Sequence, residues 1–191
     1  MGWSMGRIVL SDNVSLDGVI EDPVGDEGFP RGGWVGLIST RPELARLTLD
    51  EALGTDAMLM GRRTYEWFAA RWPSRTGDLA DRLNGLPKFV VSSTVGDLEW
   101  SNSTVVSGDL LDVVARLNDR FGGDIVIPAS VRIARSLIEH DLVDELRLKV
   151  FPVVLGAGER LFGETSGARG FHVVSTRTLD GDTTCLTFER A

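Results

Sequence analysis

The chain has 191 residues, 42% of them hydrophobic and 25% charged, enough for one domain with a substantial core. A formal net charge of −8 argues against general nucleic-acid binding. A lone cysteine, Cys185, excludes an intrachain disulfide and gives no cysteine metal site, and two histidines, His140 and His172, lie too far apart in sequence to suggest zinc.

In chain order, Met1 to Ser4 reads as an extension ahead of a second start at Met5. Arg7 to Asn13 opens with an apolar half that predicts a buried strand, and Asp17-Gly18 marks a turn. Glu21 to Gly36, rich in Gly, Pro and acids, predicts a long loop of the kind that often closes over a site. Thr40 is the expected N-cap of a helix, with Pro42 in its first turn, Glu43 at capping-box spacing, and Leu44, Leu47 and Leu53 on its apolar face.

Asp56 to Ala69 joins an apolar run, Ala57 to Met60, to a helical pattern through Gly61-Arg62-Arg63-Thr64. A strand, a tight turn and a helix start aim free amides and the positive end of the helix dipole at one point. That point suits an anion, and the two arginines add forked donors. Alone, the stretch reads equally as a plain turn with surface arginines.

Further on, a short helix is expected around Leu79 to Leu83. Strands are expected at Lys88 to Thr94, Thr104 to Ser107 and Asp124 to Ile127. Helices are expected at Leu110 to Phe121 and Val131 to His140. Glu145 to Val154 alternates and predicts a partly exposed strand, followed by a glycine-rich loop from Leu155 to Gly163. Phe171 to Thr178 and Thr183 to Glu189 flank Asp180-Gly181 as a hairpin, with Cys185 in an edge-strand pattern.

Strands alternating with helices imply an α/β domain, mostly parallel, spanning residues 1–191 and closed by an antiparallel hairpin. Ligands bind such sheets beyond the carboxyl ends of the strands. There the polar segments Gly61 to Thr64, Ser92 to Thr94 and Pro128 to Ser130 are expected to converge. The aromatics Phe29, Trp34, Trp67 and Trp72 read either as core or as walls for a flat heterocycle. No apolar run reaches the ~20 residues of a membrane span, and the expected location is cytoplasmic.

Taken together, Ser15-Leu16-Asp17-Gly18, Gly61 to Glu66, Pro87-Lys88 through Ser93, Gly122 to Ile125, Leu142 to Leu146 and Pro152 to Gly156 make the chain resemble the dihydrofolate reductase-like superfamily. It is most similar to the branch holding the C-terminal reductase domain of the bifunctional riboflavin-biosynthesis enzymes. The resemblance implies a three-layer fold, a homodimer, NADPH as cofactor and hydride transfer to a small heterocycle. The reaction type would be that of 5-amino-6-(5-phosphoribosylamino)uracil reductase or of a related pteridine or pyrimidine reductase, on CH–NH or CH–OH donors.

It further implies that Gly61, Arg62, Arg63 and Thr64 hold the pyrophosphate or ribose, and that Ser92 and Ser93 lie near the adenosine 2′-phosphate. Ala129, Ser130 and Val131 would line the third strand end, where the family pattern is glycine-rich and this chain has Pro128-Ala129-Ser130. Proline removes an amide and alanine adds a Cβ. That departure motivates the alternative, a ligand-binding homodimer of the same fold without tight NADPH binding. Asp17 is the candidate proton-transfer acid, and it reads equally as a turn aspartate. Arg31 and Arg41 read as phosphate contacts or as solvated loop arginines.

Overall fold

Runs of β-branched and aliphatic residues too short for helices form the centre of the molecule. The computed structural model describes residues 5–37, 41–93 and 96–191, so the expectations at Met1 to Ser4, Thr40 and Thr94 lie outside the described residues. In chain order the strands and α-helices are β1 (Arg7–Ser15), α1 (Pro42–Leu53), β2 (Thr55–Gly61), α2 (Arg62–Ala69), α3 (Asp78–Gly85), β3 (Lys88–Val91) and β4 (Ser103–Val106). Then come α4 (Leu110–Arg120), β5 (Asp124–Pro128), α5 (Val131–Glu139), β6 (Glu145–Phe151), β7 (Phe171–Leu179) and β8 (Thr183–Arg190).

The described strands make one mixed sheet in the order β4-β3-β2-β5-β1-β6-β8-β7. All pairs from β4 to β6 are parallel, and β8 runs antiparallel to both its neighbours. The mostly parallel sheet with a closing antiparallel hairpin is thus as expected.

Period-2 alternation divides the sheet into two faces. On one, Ile8, Leu10, Ala57, Leu59, Ile125 and Ile127 pack against Val113, Val114 and Leu117 of α4 and Ile133 and Leu137 of α5. On the other, Met58, Met60 and Val90 pack against Ala52 of α1, Tyr65 of α2 and Leu83 of α3. Helices therefore cover both faces, which is why the parallel strands read as apolar runs.

Leu53, expected on the buried face of α1, is 58% exposed, and Ala52 takes the buried position. Leu53 is the last residue of the helix. Glu43 Oε2 accepts the amide of Asp180 at 2.5 Å. In return the Asp180 carboxylate accepts the Glu43 and Leu44 amides at 3.2 and 3.1 Å. The hairpin turn thereby caps α1 from across the chain.

β6 is not the partly exposed strand that its alternation suggests. It is paired on both sides, and its residues are buried or half-buried. Its polar residues are neutralised internally. Arg147 pairs with Asp124 and Glu145 at 2.5 Å each, Arg7 pairs with the same two acids, and Lys149 reaches Glu51 of α1 at 2.7 Å. Cys185 is likewise on an inner strand, β8, and is nearly buried. Burial pushes its thiol pKa up, away from the reactive thiolate. The free edge on this side is β7.

Candidate functional site

β2 and β5 are neighbours, yet the helices that follow them leave to opposite faces of the sheet. Parting chains open a crevice at the strand ends, the usual ligand position in open α/β sheets. Gly61 ends β2 and is the N-cap of α2, while Ser130 is the N-cap of α5. The Gly61 amide donates to Ser130 Oγ at 3.1 Å, and Ser130 Oγ donates to Thr64 Oγ1 at 3.1 Å. Three residues far apart in sequence thus meet across the crevice.

Neither helix is capped by its own side chain. Ser130 bonds its hydroxyl to α2 and takes the Gly61 amide instead of capping α5, so neither helix start has a side-chain cap at the crevice, and amides there suit an anion. Gly61 has an ordinary φ of −78°, and a Cβ there would meet nothing closer than Ile133 Cδ1 at 3.9 Å. The fold itself does not require glycine at this position. Its absent side chain leaves a notch beside the open amides that a Cβ would fill.

Arg62 and Arg63 start α2 with mostly exposed side chains, in loose pairs with Glu66 at 3.8 Å and Glu27 at 3.9 Å. Exposed pairs of this length hold weakly and leave both guanidinium groups free to swing. Ser92 and Ser93 follow β3, whose end is adjacent to that of β2, and the Ser92 amide donates to Val106 at 3.3 Å. The three polar segments therefore lie on consecutive strands.

At the third segment Ala129 has φ +46°, a conformation that favours glycine. The Val131 amide is turned back onto the Ala129 carbonyl at 3.1 Å. Pro128 offers no amide and is the last β5 residue paired to β1, opposite Ser11.

Asp17 sits in the turn after β1. Its carboxylate accepts Ser15 Oγ at 2.8 Å, the Leu155 amide at 3.0 Å and the Gly156 amide at 2.8 Å. Those donors, the Leu155 amide first, hold its pKa down to about 2. Such a group is ionised at neutral pH and ties the 155–160 loop to β1. The sign follows: a lowered carboxyl pKa contributes stability above the unfolded value, and that contribution disappears as pH falls through about 2. In Asp17→Ala the Leu155 and Gly156 amides should lose hydrogen-exchange protection at pH 7. In the wild type that protection should persist well into acid.

The loop between β1 and α1 is organised from within. Asp22, nearly buried, accepts the amides of Gly25, Asp26 and Glu27 on Oδ1 and that of Phe29 on Oδ2. Asp26 then reaches Trp67 Nε1 on α2 at 3.0 Å and Arg71 just after the helix at 2.6 Å. Gly25 and Gly33, both at positive φ, touch so closely that a Cβ on Gly25 would lie 2.9 Å from Gly33 Cα. The long loop is thereby fastened to the C-terminal end of α2, and only the loose Glu27–Arg63 pair connects it to the helix start.

The expected aromatics are mostly packing groups. Trp34 is fully buried edge-on to Phe151, and Trp72 stacks on Phe68. Trp67 contacts Phe68 and carries the Arg71 guanidinium on its face. Arg31 donates to the Leu155 carbonyl, and Arg41 is held by Asp182 and Thr183 over the Phe151 ring. Arg41, its side chain 8% exposed, is not a solvated loop arginine, whereas Arg31 stays exposed in the loop.

Asp12 escapes a reading of the sequence for motifs. It occupies an apolar-face position on β1, between Leu10 and Val14, and is 7% exposed. The signal was present: an acid interrupting the alternation Ile8, Leu10, Val14.

This geometry, a mixed parallel sheet with a polar crevice at its strand ends, is dihydrofolate reductase-like. The chain belongs to the family of the RibD C-terminal domain, whose model matches residues 7–185. In sequence it is similar to the uncharacterized protein YyaP of Bacillus subtilis strain 168, at 27% identity over 178 residues, 91% of this chain and 89% of that one. Among solved structures it is similar to one from Shewanella sp. PV-4 provisionally assigned to riboflavin biosynthesis, with a TM-score of 0.76, 23% identity and coverage of 97% and 99% of the two chains. It is also similar to dihydrofolate reductase from Enterococcus faecalis complexed with NADP(H) and RAB-propyl, with a TM-score of 0.63, 15% identity and coverage of 99% of each chain. Among the described residues no helix is long and apolar enough to cross a membrane.

Proposed function

We propose that the chain is an NADPH-dependent reductase of a small heterocycle. Its reaction would be of the 5-amino-6-(5-phosphoribosylamino)uracil reductase type or that of a related pteridine or pyrimidine reductase. The observation that carries this is the Gly61–Ser130–Thr64 connection, which puts two uncapped helix starts and an open notch on one crevice. The residues present suit a dinucleotide phosphate. Gly61 and the α2 amides would receive the pyrophosphate, Thr64 and Ser130 would offer hydroxyls, and Arg62 or Arg63 would swing onto the 2′-phosphate beside Ser92 and Ser93. When bound, the cofactor supplies the hydride. The chain itself positions the ring and, through the Asp22-centred loop, keeps water from the crevice. A cytoplasmic location accompanies this reading.

The test is a fluorescence titration with NADPH and NADH. Saturable NADPH binding at micromolar concentration is expected, and its absence would sink the reductase reading. Arg62→Ala or Arg63→Ala should weaken NADPH about tenfold, the value of one charge-assisted contact, with little effect on NADH. Equal losses for both cofactors would refute the 2′-phosphate role.

A second reading, a ligand-binding homodimer that has lost tight NADPH binding, is favoured by one feature. Pro128 and Ala129 present no amide and an added Cβ where backbone must approach the ligand, and Val131 turns its amide away. Both readings include a homodimer. β6 offers no free edge for it, whereas β7 exposes Val173 and Val174 along an unpaired one. Light scattering that returned a monomer would contradict the dimer.

A further inference from the structure

Asp12 stands out among the buried polar groups. Of the described carboxylates, it alone is buried with an oxygen that has no partner. Oδ1 accepts the Asn13 amide at 2.9 Å, and Oδ2 accepts nothing. Burial raises the pKa to about 7, while the Asn13 amide and the Lys149 charge pull it back. Lys149 itself is engaged by Glu51 and Ser11. An aliphatic residue would continue the face formed by Ile8, Leu10 and Val14. A carboxylate kept at such a position with one oxygen unpartnered points to a partner from outside.

Register shows where that partner would lie. On one side Asp12 faces Leu148 of β6. On the other, the last pair is Ser11 with Pro128, and the chain turns away at Ala129. Asp12 therefore borders the gap where β5 has left the sheet and β1 continues. β3, β2, β5 and β1 are consecutive in the sheet. At about 4.8 Å per strand, the ends of β3 and β1 are roughly 14 Å apart, the reach of an extended dinucleotide. A dinucleotide with its phosphates at Gly61 and its adenosine toward Ser92 would bring its other base to Asp12.

Resting on the NADPH reading above, we propose that Asp12 is a ligand-contacting residue whose free oxygen hydrogen-bonds the carboxamide of a nicotinamide ring seated between β5 and β1. The match is chemical. A carboxylate oxygen accepts from the carboxamide N–H, and the protonated acid donates to its carbonyl. The adenosine and phosphate portions do not reach this position.

Two probes separate the halves of the cofactor: NADPH, and 2′-phosphoadenosine diphosphate ribose, which lacks the nicotinamide. Their dissociation constants are measured by fluorescence titration or calorimetry for the wild type and for Asp12→Leu. The variant should bind NADPH at least about tenfold more weakly and the fragment within about twofold of wild type, with a melting temperature no lower than wild type. Equal weakening of both probes would assign Asp12 a structural role and overturn the proposal, as would unchanged binding of both. Asp12→Ala repeats the measurement should leucine not fit. A wild type that binds the fragment as tightly as NADPH overturns this inference alone. A wild type that binds neither overturns the cofactor reading together with it.

Discussion

Asp12→Asn should melt about 10 °C above the wild type at pH 8 and close to it at pH 4. Burial raises the Asp12 pKa from 3.8 to about 7, so between those values the folded chain holds a proton that the unfolded chain has released. Stability is therefore lost as pH rises through this window and stays lost above it. The shift corresponds to up to about 4 kcal/mol. In a chain of this size 1 kcal/mol moves the midpoint by about 2–4 °C. Asparagine keeps the shape and removes the ionisation. Comparing variant with wild type at each pH cancels the opposite trend of carboxylates such as Asp17, whose pKa is lowered. Thermal unfolding by circular dichroism from pH 4 to 8 checks this, and parallel melting curves at all pH values would contradict it.

Trp34→Ala should cost about 3–5 kcal/mol, the range for emptying a buried aromatic site. Trp34 is fully buried, meets the Phe151 ring edge-on at 5.4 Å between centroids, and donates Nε1–H to the Glu21 carbonyl at 2.9 Å. It thus joins the loop that Asp22 organises to the end of β6. Beyond the lower midpoint, the amides of Gly25, Asp26 and Glu27 should exchange faster in the variant, because the nest that holds them loses its base. Trp34→Phe, which retains much of the ring but not the donor, should cost only about 1 kcal/mol. A fall in stability without faster exchange in 25–27 would separate packing from loop control.

These two residues show how far the sequence could be read. The alternation of strands and helices and the Asp180-Gly181 hairpin signal were enough for the sheet, because each rests on local pattern. Gly61, Thr64 and Ser130 were recognisable as strand-end groups, but the Gly61–Ser130–Thr64 bond chain was not, since it depends on β2 and β5 being neighbours. β6 misled for a related reason: the alternation that suggested solvent came from Arg147 and Lys149, which find Asp124, Glu145 and Glu51 only in three dimensions. Arg41 was equally opaque, because Asp182 and Thr183 come to it from the far end of the chain. Asp17 looked the same in sequence whether as a turn residue or as an acid. Only the amides of Leu155 and Gly156 show that its charge is pinned.

The position of β1 has a consequence for how the molecule is made. β1, the first of the described strands, is interior to the sheet, and its Arg7 pairs with Asp124 and Glu145, 117 and 138 residues later. The turn that finishes the start of α1 comes later still, since Asp180 lies 137 residues after Glu43. The pairing of segments so distant in sequence makes folding slow. Truncation before the final hairpin would leave the first helix without its cap and β6 with an open edge. In pulse-labelling, α1 and β8 should acquire protection together, although they lie at opposite ends of the sequence.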